Sequence, residues 1–133
     1  YTVTDSRNVC PVGWHVPSEI DWEQLFGVFG QLIPPGYYQW NSGGDLKSID
    51  GLWSTPNVGA TNHSYMNIVP GGSLQFSNSS YGIGNNGIYW TSDSQGGGTS
   101  FSGKSVDFTA GSENVGYGSQ QHYYQNSIRC VKD

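Results

Sequence analysis

Basic residues are scarce in this sequence. Lysine and arginine together number five, against ten aspartates and glutamates, which gives a formal net charge of −5 at pH 7. Without a basic stripe the chain has little with which to displace counterions from phosphate groups, so nucleic-acid binding is not expected. No apolar run approaches the roughly 20 residues that span a bilayer, so direct membrane insertion is not expected either.

Charged residues of both signs make up only 11% of the 133 residues, whereas glycine (20), tyrosine (9) and tryptophan (5) are frequent. The surface must therefore be built largely from uncharged polar residues and tyrosine, which is not typical of a cytosolic enzyme. The length suits one domain, and we take residues 1–133 as that domain. The first residues lack the charged and apolar regions of a secretion signal, which we expect upstream of residue 1 in a longer exported protein.

The sequence has only two cysteines, Cys10 and Cys130, and lacks the CxxC or Cys/His spacing of a metal site. A disulfide between them would enclose almost the whole chain. On the loop-entropy model it would constrain the unfolded state by on the order of 4 to 5 kcal/mol. Such a bridge would suit an exported protein, and the alternative is two buried free thiols.

Two helices are predicted in the first half of the chain. Ser18 is a typical N-cap, Asp21 stands where a capping box needs an acid, and Gly30 followed by prolines ends the helix. The apolar residues between these signals, at helical spacing, are Trp22, Leu25, Phe26 and Phe29. A second, short helix is predicted within residues 43–49.

Short alternating runs separated by glycine, asparagine and serine follow residue 52 and indicate an antiparallel sheet. The predicted strands are residues 65–69, 87–92, 101–108 and 127–132, with a further short one at residues 1–4. Val106 and Phe108 are expected to face the core. Helices followed by strands favour the α+β class.

The tryptophans differ in their expected roles. We expect four of them in the core: Trp14, Trp22, Trp53 and Trp90. For Trp40 two interpretations stay open, a platform for stacking a sugar or a loop residue packed on the domain. His15 is expected to be a hydrogen-bonded structural residue, and Glu19, Asp21 and Glu23 to be first-turn helix acids.

Three separated motifs occur in a fixed order. Residues 10–22 read CPVGWHVPSEIDW, residues 89–92 read YWTS, and residues 127–133 read SIRCVKD. Together they resemble the Fibrobacter succinogenes major paralogous domain family, whose pattern runs CPxGWHxP, PGG, YWSS and SVRCVKD. Residues 69–72 match the PGG step, and residues 44–48 resemble a GxxLKS segment of the same family.

The resemblance implies a C-type-lectin-like fold, with one main and one short helix, a small twisted antiparallel sheet and long loops. Cys10 would then join the lead-in to the first helix to the final strand. The fold is shared with formylglycine-generating enzymes, which use a cysteine-bound copper site. This chain has no cysteine besides the two in the motifs and no GxSxG elbow, so we expect no catalysis.

No cofactor is expected, although a calcium-dependent sugar lectin remains an alternative. The EPN or QPD motif of such lectins is missing, and of their WND signature only Trp90 and Asp93 have counterparts. Asp93 could equally cap a turn. A third possibility is a structural module of a surface lipoprotein or adhesin.

The same fold houses the variable proteins of diversity-generating retroelements, and residues 93–126 resemble their diversified segments in being rich in Gly, Ser, Asn, Gln and Tyr. This mixture is also the one that antibody loops use, although plain surface loops could share it. The function expected is binding of a protein or glycan receptor, at the bacterial surface or on a phage virion. No oligomeric state is indicated. The candidate binding residues are Ser94, Gln95, Thr99, Phe101, Ser112, Glu113, Asn114, Tyr117, His122, Tyr123 and Tyr124.

Overall fold

The computed structural model describes residues 3, 7–34, 39–75, 79–95 and 102–133, with the backbone alone at Ser94 and Gln95. Within this part of the chain, two helices and nine strands make a small mixed α+β domain. The helices are α1 (Glu19–Phe29) and α2 (Gly43–Leu46). The strands are β1 (Trp14–His15), β2 (Gln39–Trp40), β3 (Ser73–Leu74), β4 (Ser80–Tyr81), β5 (Asn86–Gln95), β6 (Ser102–Thr109), β7 (Val115–Gln121), β8 (Gln125–Asn126) and β9 (Val131–Lys132).

Helix α1 begins as the sequence predicts. The Ser18 hydroxyl accepts from the Asp21 backbone N–H, and the Asp21 carboxylate accepts from the Ser18 backbone N–H, so the capping box is complete. At the other end, the Gly30 N–H donates to the Phe26 carbonyl. The capping box and the Gly30 contact are both local, which is why local sequence suffices to predict the helix.

The main sheet is antiparallel, with strand order β2-β7-β6-β5. Helix α1 packs on one face through Trp22 and Phe26, both buried. Val106 and Phe108 of β6 are fully buried, as predicted, and the rings of Phe26 and Phe108 meet edge to face with centroids 6.4 Å apart. The domain core therefore lies between this helix and this sheet.

Two smaller sheets flank the main one. Strand β1 pairs with β9, and β3 pairs with both β4 and β8. Parallel bridges from Gly72 to Gly87 and from Tyr89 to Ser127 attach the β4-β3-β8 sheet to β5. A Cys10–Cys130 disulfide is present beside the β1–β9 pair, which confirms the predicted bridge.

Several sequence predictions of strands were wrong or too long. Residues 65–69 do not form a strand, because Tyr65 and Asn67 take left-handed backbone angles (φ 56° and 51°). In the range 127–132 only β9 is a strand, and α2 ends before residues 47–49. Strand β7 was not predicted at all. Of residues 1–4 only Val3 is described, and it lies in a helical turn.

Three of the four tryptophans predicted for the core are buried: Trp22, Trp53 and Trp90. Trp14 is 40% exposed, which corrects its prediction, because the two-residue strand β1 lies at the surface and not under a second layer. Trp40 packs on α1, with its ring centroid 6.2 Å from that of Phe26, so it packs on the domain, but from strand β2 and not from a loop. None of the described helices is long and apolar enough to span a bilayer.

Candidate functional site

The predicted binding residues fall at two ends of the main sheet. Ser94 and Gln95 end β5, and His122, Tyr123 and Tyr124 follow β7. The register aligns Gln95 with Ser102 and Ser102 with Gln121, so these positions share one end, which we call the display end. Thr99 and Phe101 lie outside the described residues.

Ser112, Glu113 and Asn114 lie at the opposite end, in the turn between β6 and β7. The seven residues of β7 separate them from the display end by roughly 20 Å. Their backbone is held by the scaffold, since Lys47 donates to the Ser112 carbonyl and the Gly44 N–H donates to the Glu113 carbonyl. The structure thus does not bring this turn together with the other candidates.

Tyr117 lies between these two groups and packs inward. Its ring centroid is 6.2 Å from that of Phe26, and its hydroxyl donates to the Glu19 carbonyl at 3.0 Å. Burial raises the pKa of the Tyr117 hydroxyl. The side chain therefore connects β7 to α1, a scaffold contact that the Val115, Tyr117 alternation could have indicated.

Tyr123 and Tyr124 form an aromatic pair at the display end. Their rings meet edge to face with centroids 5.1 Å apart, and Tyr123 is 49% exposed. The Tyr124 N–H donates to the Gln121 carbonyl and closes the turn after β7. An edge-to-face aromatic pair on a closed turn presents a large, preorganised surface at low conformational cost.

A separate cavity of about 270 Å³ lies along β3, β4 and β8, and we call it the β3–β8 pocket. Gly71 and Gly72 of the PGG step and Ser127 of the closing motif line it. So do Ser73 and Asn126, which lie directly opposite each other in the antiparallel pair of β3 and β8. Sequence reasoning missed this pocket because it used the PGG step only as a family marker.

The polar atoms of the central pair are buried and unsatisfied. The Ser73 hydroxyl and both polar atoms of the Asn126 carboxamide have no hydrogen-bond partner among the described residues. Each buried polar group without a partner costs about 1 to 3 kcal/mol. Native proteins contain few such groups, and they tend to occur at functional sites.

Asp93, the counterpart of a calcium-lectin residue, and His15 both make structural contacts. The Asp93 carboxylate accepts from the Glu19 N–H at 2.6 Å, at the start of α1. His15 lies with Nδ1 2.6 Å from Asp133 and Nε2 3.4 Å from Asp21, and its hydrogen bond to Asp133 raises its pKa. The Asp133 and Asp21 carboxylates thus flank opposite sides of the His15 ring. Among the described residues, no group of three or more His, Cys, Asp or Glu side chains could hold a metal ion.

These elements define a small, disulfide-closed α+β domain with a neutral polar pocket and an aromatic display end. The chain belongs to the Fibrobacter succinogenes major domain family, whose model matches residues 1–132, as the three motifs predicted. No curated protein and no solved structure matches the chain.

Proposed function

We propose that this chain is a non-catalytic binding module with a C-type-lectin-like fold, which presents its display end to a protein or glycan receptor. The observation that carries the proposal is the half-exposed Tyr123 ring, which packs edge to face with the Tyr124 ring at one end of the main sheet. Aromatic rings on a rigid support are frequent anchors of recognition surfaces. The main sheet, α1 and the late closing strand β9 support the lectin-like topology.

A location outside the cytosol is part of the proposal. The Cys10–Cys130 disulfide supports it, because such bonds persist mainly in oxidising compartments. The bacterial surface and a phage virion both meet this condition. In either place a surface poor in charge would meet another surface through aromatic and amide contacts, which depend little on salt.

The display end also suits sequence diversification, as in variable proteins of retroelements. Its residues follow or precede strands whose inward side chains, such as Val106 and Phe108, form the core. Changes at residues 122–124, which follow β7, would therefore leave the core intact. Tyr117 is excluded from the displayed set because it packs on α1.

Array binding tests the recognition proposal. Wild-type protein and the double variant Tyr123→Ser/Tyr124→Ser are applied to glycan and extracellular-protein arrays, with Tyr65→Ser as the control because Tyr65 is 84% exposed on another loop. Signals are expected to disappear in the double variant and persist in the control. A double variant that binds like the wild type would contradict the proposal. A parallel experiment with EDTA identifies a calcium-dependent lectin, whose binding would be lost when the ion is removed.

Sequencing of sibling genes tests the diversification proposal. Siblings are expected to differ mainly between residues 93 and 126, with a reverse transcriptase and an imperfect repeat of the 3′ coding end nearby. A segment that stays uniform among siblings would exclude diversification while leaving recognition as a separate question.

A further inference from the structure

The walls of the β3–β8 pocket are fixed by close backbone contacts. Gly72 has a left-handed φ of 65°, and a Cβ there would lie 2.3 Å from the Tyr81 carbonyl oxygen, so glycine is required at this point of the wall. The bridges from Gly72 to Gly87 and from Tyr89 to Ser127 hold both sides of the pocket to β5. The cavity is therefore a preformed part of the scaffold and not a gap between loops.

The polar centre of the pocket lacks partners within the described chain. Ser73 is only 6% exposed, and its hydroxyl faces the same side of the sheet as the Asn126 carboxamide across the strand pair. Because these polar atoms are buried in the structure, contact with a ligand in the cavity requires a rotation about χ1 of each residue. One hydroxyl and one carboxamide together offer donors and acceptors about equally, which suits a ligand whose own groups both donate and accept.

The remaining lining narrows the ligand class. The Ser80 hydroxyl and the Gln125 carboxamide add neutral polar groups, and no charged side chain is among the described lining residues. Leu74 and Ile83 add apolar surface, being 38% and 64% exposed. At about 270 Å³ the cavity lies just below the range of about 300 to 1,000 Å³ typical of drug-sized ligands, so it suits one small ring.

We infer that the β3–β8 pocket binds one neutral, polyhydroxylated ring, such as a single sugar residue, through the Ser73 hydroxyl and the Asn126 carboxamide. Vicinal hydroxyls of the ring bond the carboxamide and the hydroxyl, while its C–H face lies on Ile83. The site goes beyond the proposed function, because it is built from the PGG step and the closing motif and holds whether or not the display end binds a receptor.

Side-chain NMR provides the test. The ¹⁵N-labelled protein is titrated with α- and β-methyl hexopyranosides, which imitate the terminal residue of a glycan, and with myo-inositol as a free polyol. We expect saturable shifts of the Asn126 and Gln125 side-chain amide signals at millimolar ligand, the range of single-ring affinities. Tighter binding of the glycosides would identify the end of a glycan as the source of the ring. Tighter binding of inositol would identify a free polyol.

Variants separate binding from folding. Asn126→Leu keeps the shape and removes the unsatisfied amide, so we expect at least tenfold weaker binding with an equal or higher melting temperature. Gln24→Leu, at an exposed position of α1, is the matched control for the loss of a side-chain amide and should bind normally. Should Asn126→Leu fail to fold, Gly71→Ala serves instead, since its new Cβ would lie 3.2 Å from the Ser127 hydroxyl and narrow the pocket.

Three results would overturn the inference. The first is the absence of any Asn126 shift up to tens of millimolar of every ligand, which would mark the cavity as a hydration site. The second is unchanged affinity in Asn126→Leu, which would place binding elsewhere. The third is unchanged affinity in Gly71→Ala. A failure of the Tyr123→Ser/Tyr124→Ser arrays leaves these three readouts unaffected, so the two proposals fail separately.

Discussion

At the residue scale, Lys47 is a fully buried cation held by carbonyl oxygens. Its ammonium group donates to the carbonyls of Val58, Thr109 and Ser112 at 2.8 to 2.9 Å and lies 5.3 Å from the centroid of the Trp53 ring. Burial lowers its pKa to about 8, so the ammonium form still dominates at neutral pH. One side chain thereby satisfies carbonyls from two separate loops.

Replacement of Lys47 by methionine should therefore be strongly destabilising. Lys47→Met keeps the length of the side chain but leaves three carbonyl groups without their donor. We expect a loss of about 3 to 5 kcal/mol in the free energy of unfolding, measured by urea denaturation. The exposed Lys132→Met is the control and should change stability by about 0.5 kcal/mol or less. Equal losses in the two variants would refute this role.

Asp107 is a second residue whose charged form is disfavoured by burial. It lies on β6, and burial raises the pKa of its carboxyl, while a 2.8 Å hydrogen bond from the Ser105 hydroxyl opposes the shift. A raised carboxyl pKa means that the folded state binds the proton more tightly than the unfolded state. Its contribution to stability is thus present below the ordinary carboxyl pKa and is lost as pH rises through the folded value.

Asp107→Asn should consequently stabilise the protein at pH 7, because asparagine keeps an acceptor for Ser105 and carries no charge. The gain over the wild type should shrink as the pH is lowered to about 3, where the wild-type carboxyl takes up its proton. Melting curves of both proteins at several pH values provide the measurement. Asp50→Asn, at an exposed position, controls for the change in net charge, and a pH-independent gain would argue against the assignment.

At the element scale, the start of α1 is tied to the main sheet from a distance. The Asp93 carboxylate of β5 accepts from the Glu19 N–H across a sequence separation of 74 residues. Ser18 and Asp21 satisfy neighbouring groups locally. A negative charge at a helix N-terminus also interacts favourably with the helix dipole.

Asp93→Ala should cost about 1 to 2 kcal/mol, since it removes both a capping hydrogen bond and a favourable charge. Amide hydrogen exchange is expected to speed up in the first turn of α1 before the rest of the helix. Gln24→Ala, on the exposed side of α1, should leave both the stability and the exchange nearly unchanged. Uniform acceleration over the whole molecule would instead indicate a global role of Asp93.

The sequence predicted α1 within a residue at each end because its caps and its apolar stripe are local signals. It did not predict β7, whose glycine, serine and glutamine residues give little hydrophobic alternation, since this strand is stabilised by its neighbours β6 and β2. The strand predicted at residues 65–69 was wrong because local side-chain contacts there favour another structure. There the Asn62 and Asn67 side chains hydrogen-bond within the loop and favour a turn.

The candidate sites were only partly predictable. Tyr123 and Tyr124 could be singled out by composition, and the structure places them together. The β3–β8 pocket could not be predicted from the sequence, because Ser73 and Asn126 become neighbours only through the register of two short strands. Strands of two residues carry too little pattern for that register to be read from sequence.

At the scale of the whole molecule, one covalent link closes the domain. The Cys10–Cys130 disulfide spans a sequence separation of 120 residues and lies beside the β1–β9 pair. Such a long closed loop restricts the unfolded ensemble far more than the folded one. The bond should therefore contribute strongly to stability.

The double variant Cys10→Ser/Cys130→Ser is expected to lose on the order of 2 to 5 kcal/mol of unfolding free energy while keeping the native circular dichroism spectrum at low temperature. Thiol titration of the denatured wild type should find no free thiol before reduction and two afterwards. Two thiols in the unreduced protein would disprove the bridge.

The buried ammonium of Lys47 has a consequence for the environments in which the domain can work. Loops that are gathered around a bound metal ion loosen when the surrounding fluid is diluted or contains a chelator. Here the cation that gathers the loops at Val58, Thr109 and Ser112 is attached to the chain, so its effective concentration at the site is constant. This part of the scaffold keeps its shape from fresh water to a chelator-rich fluid.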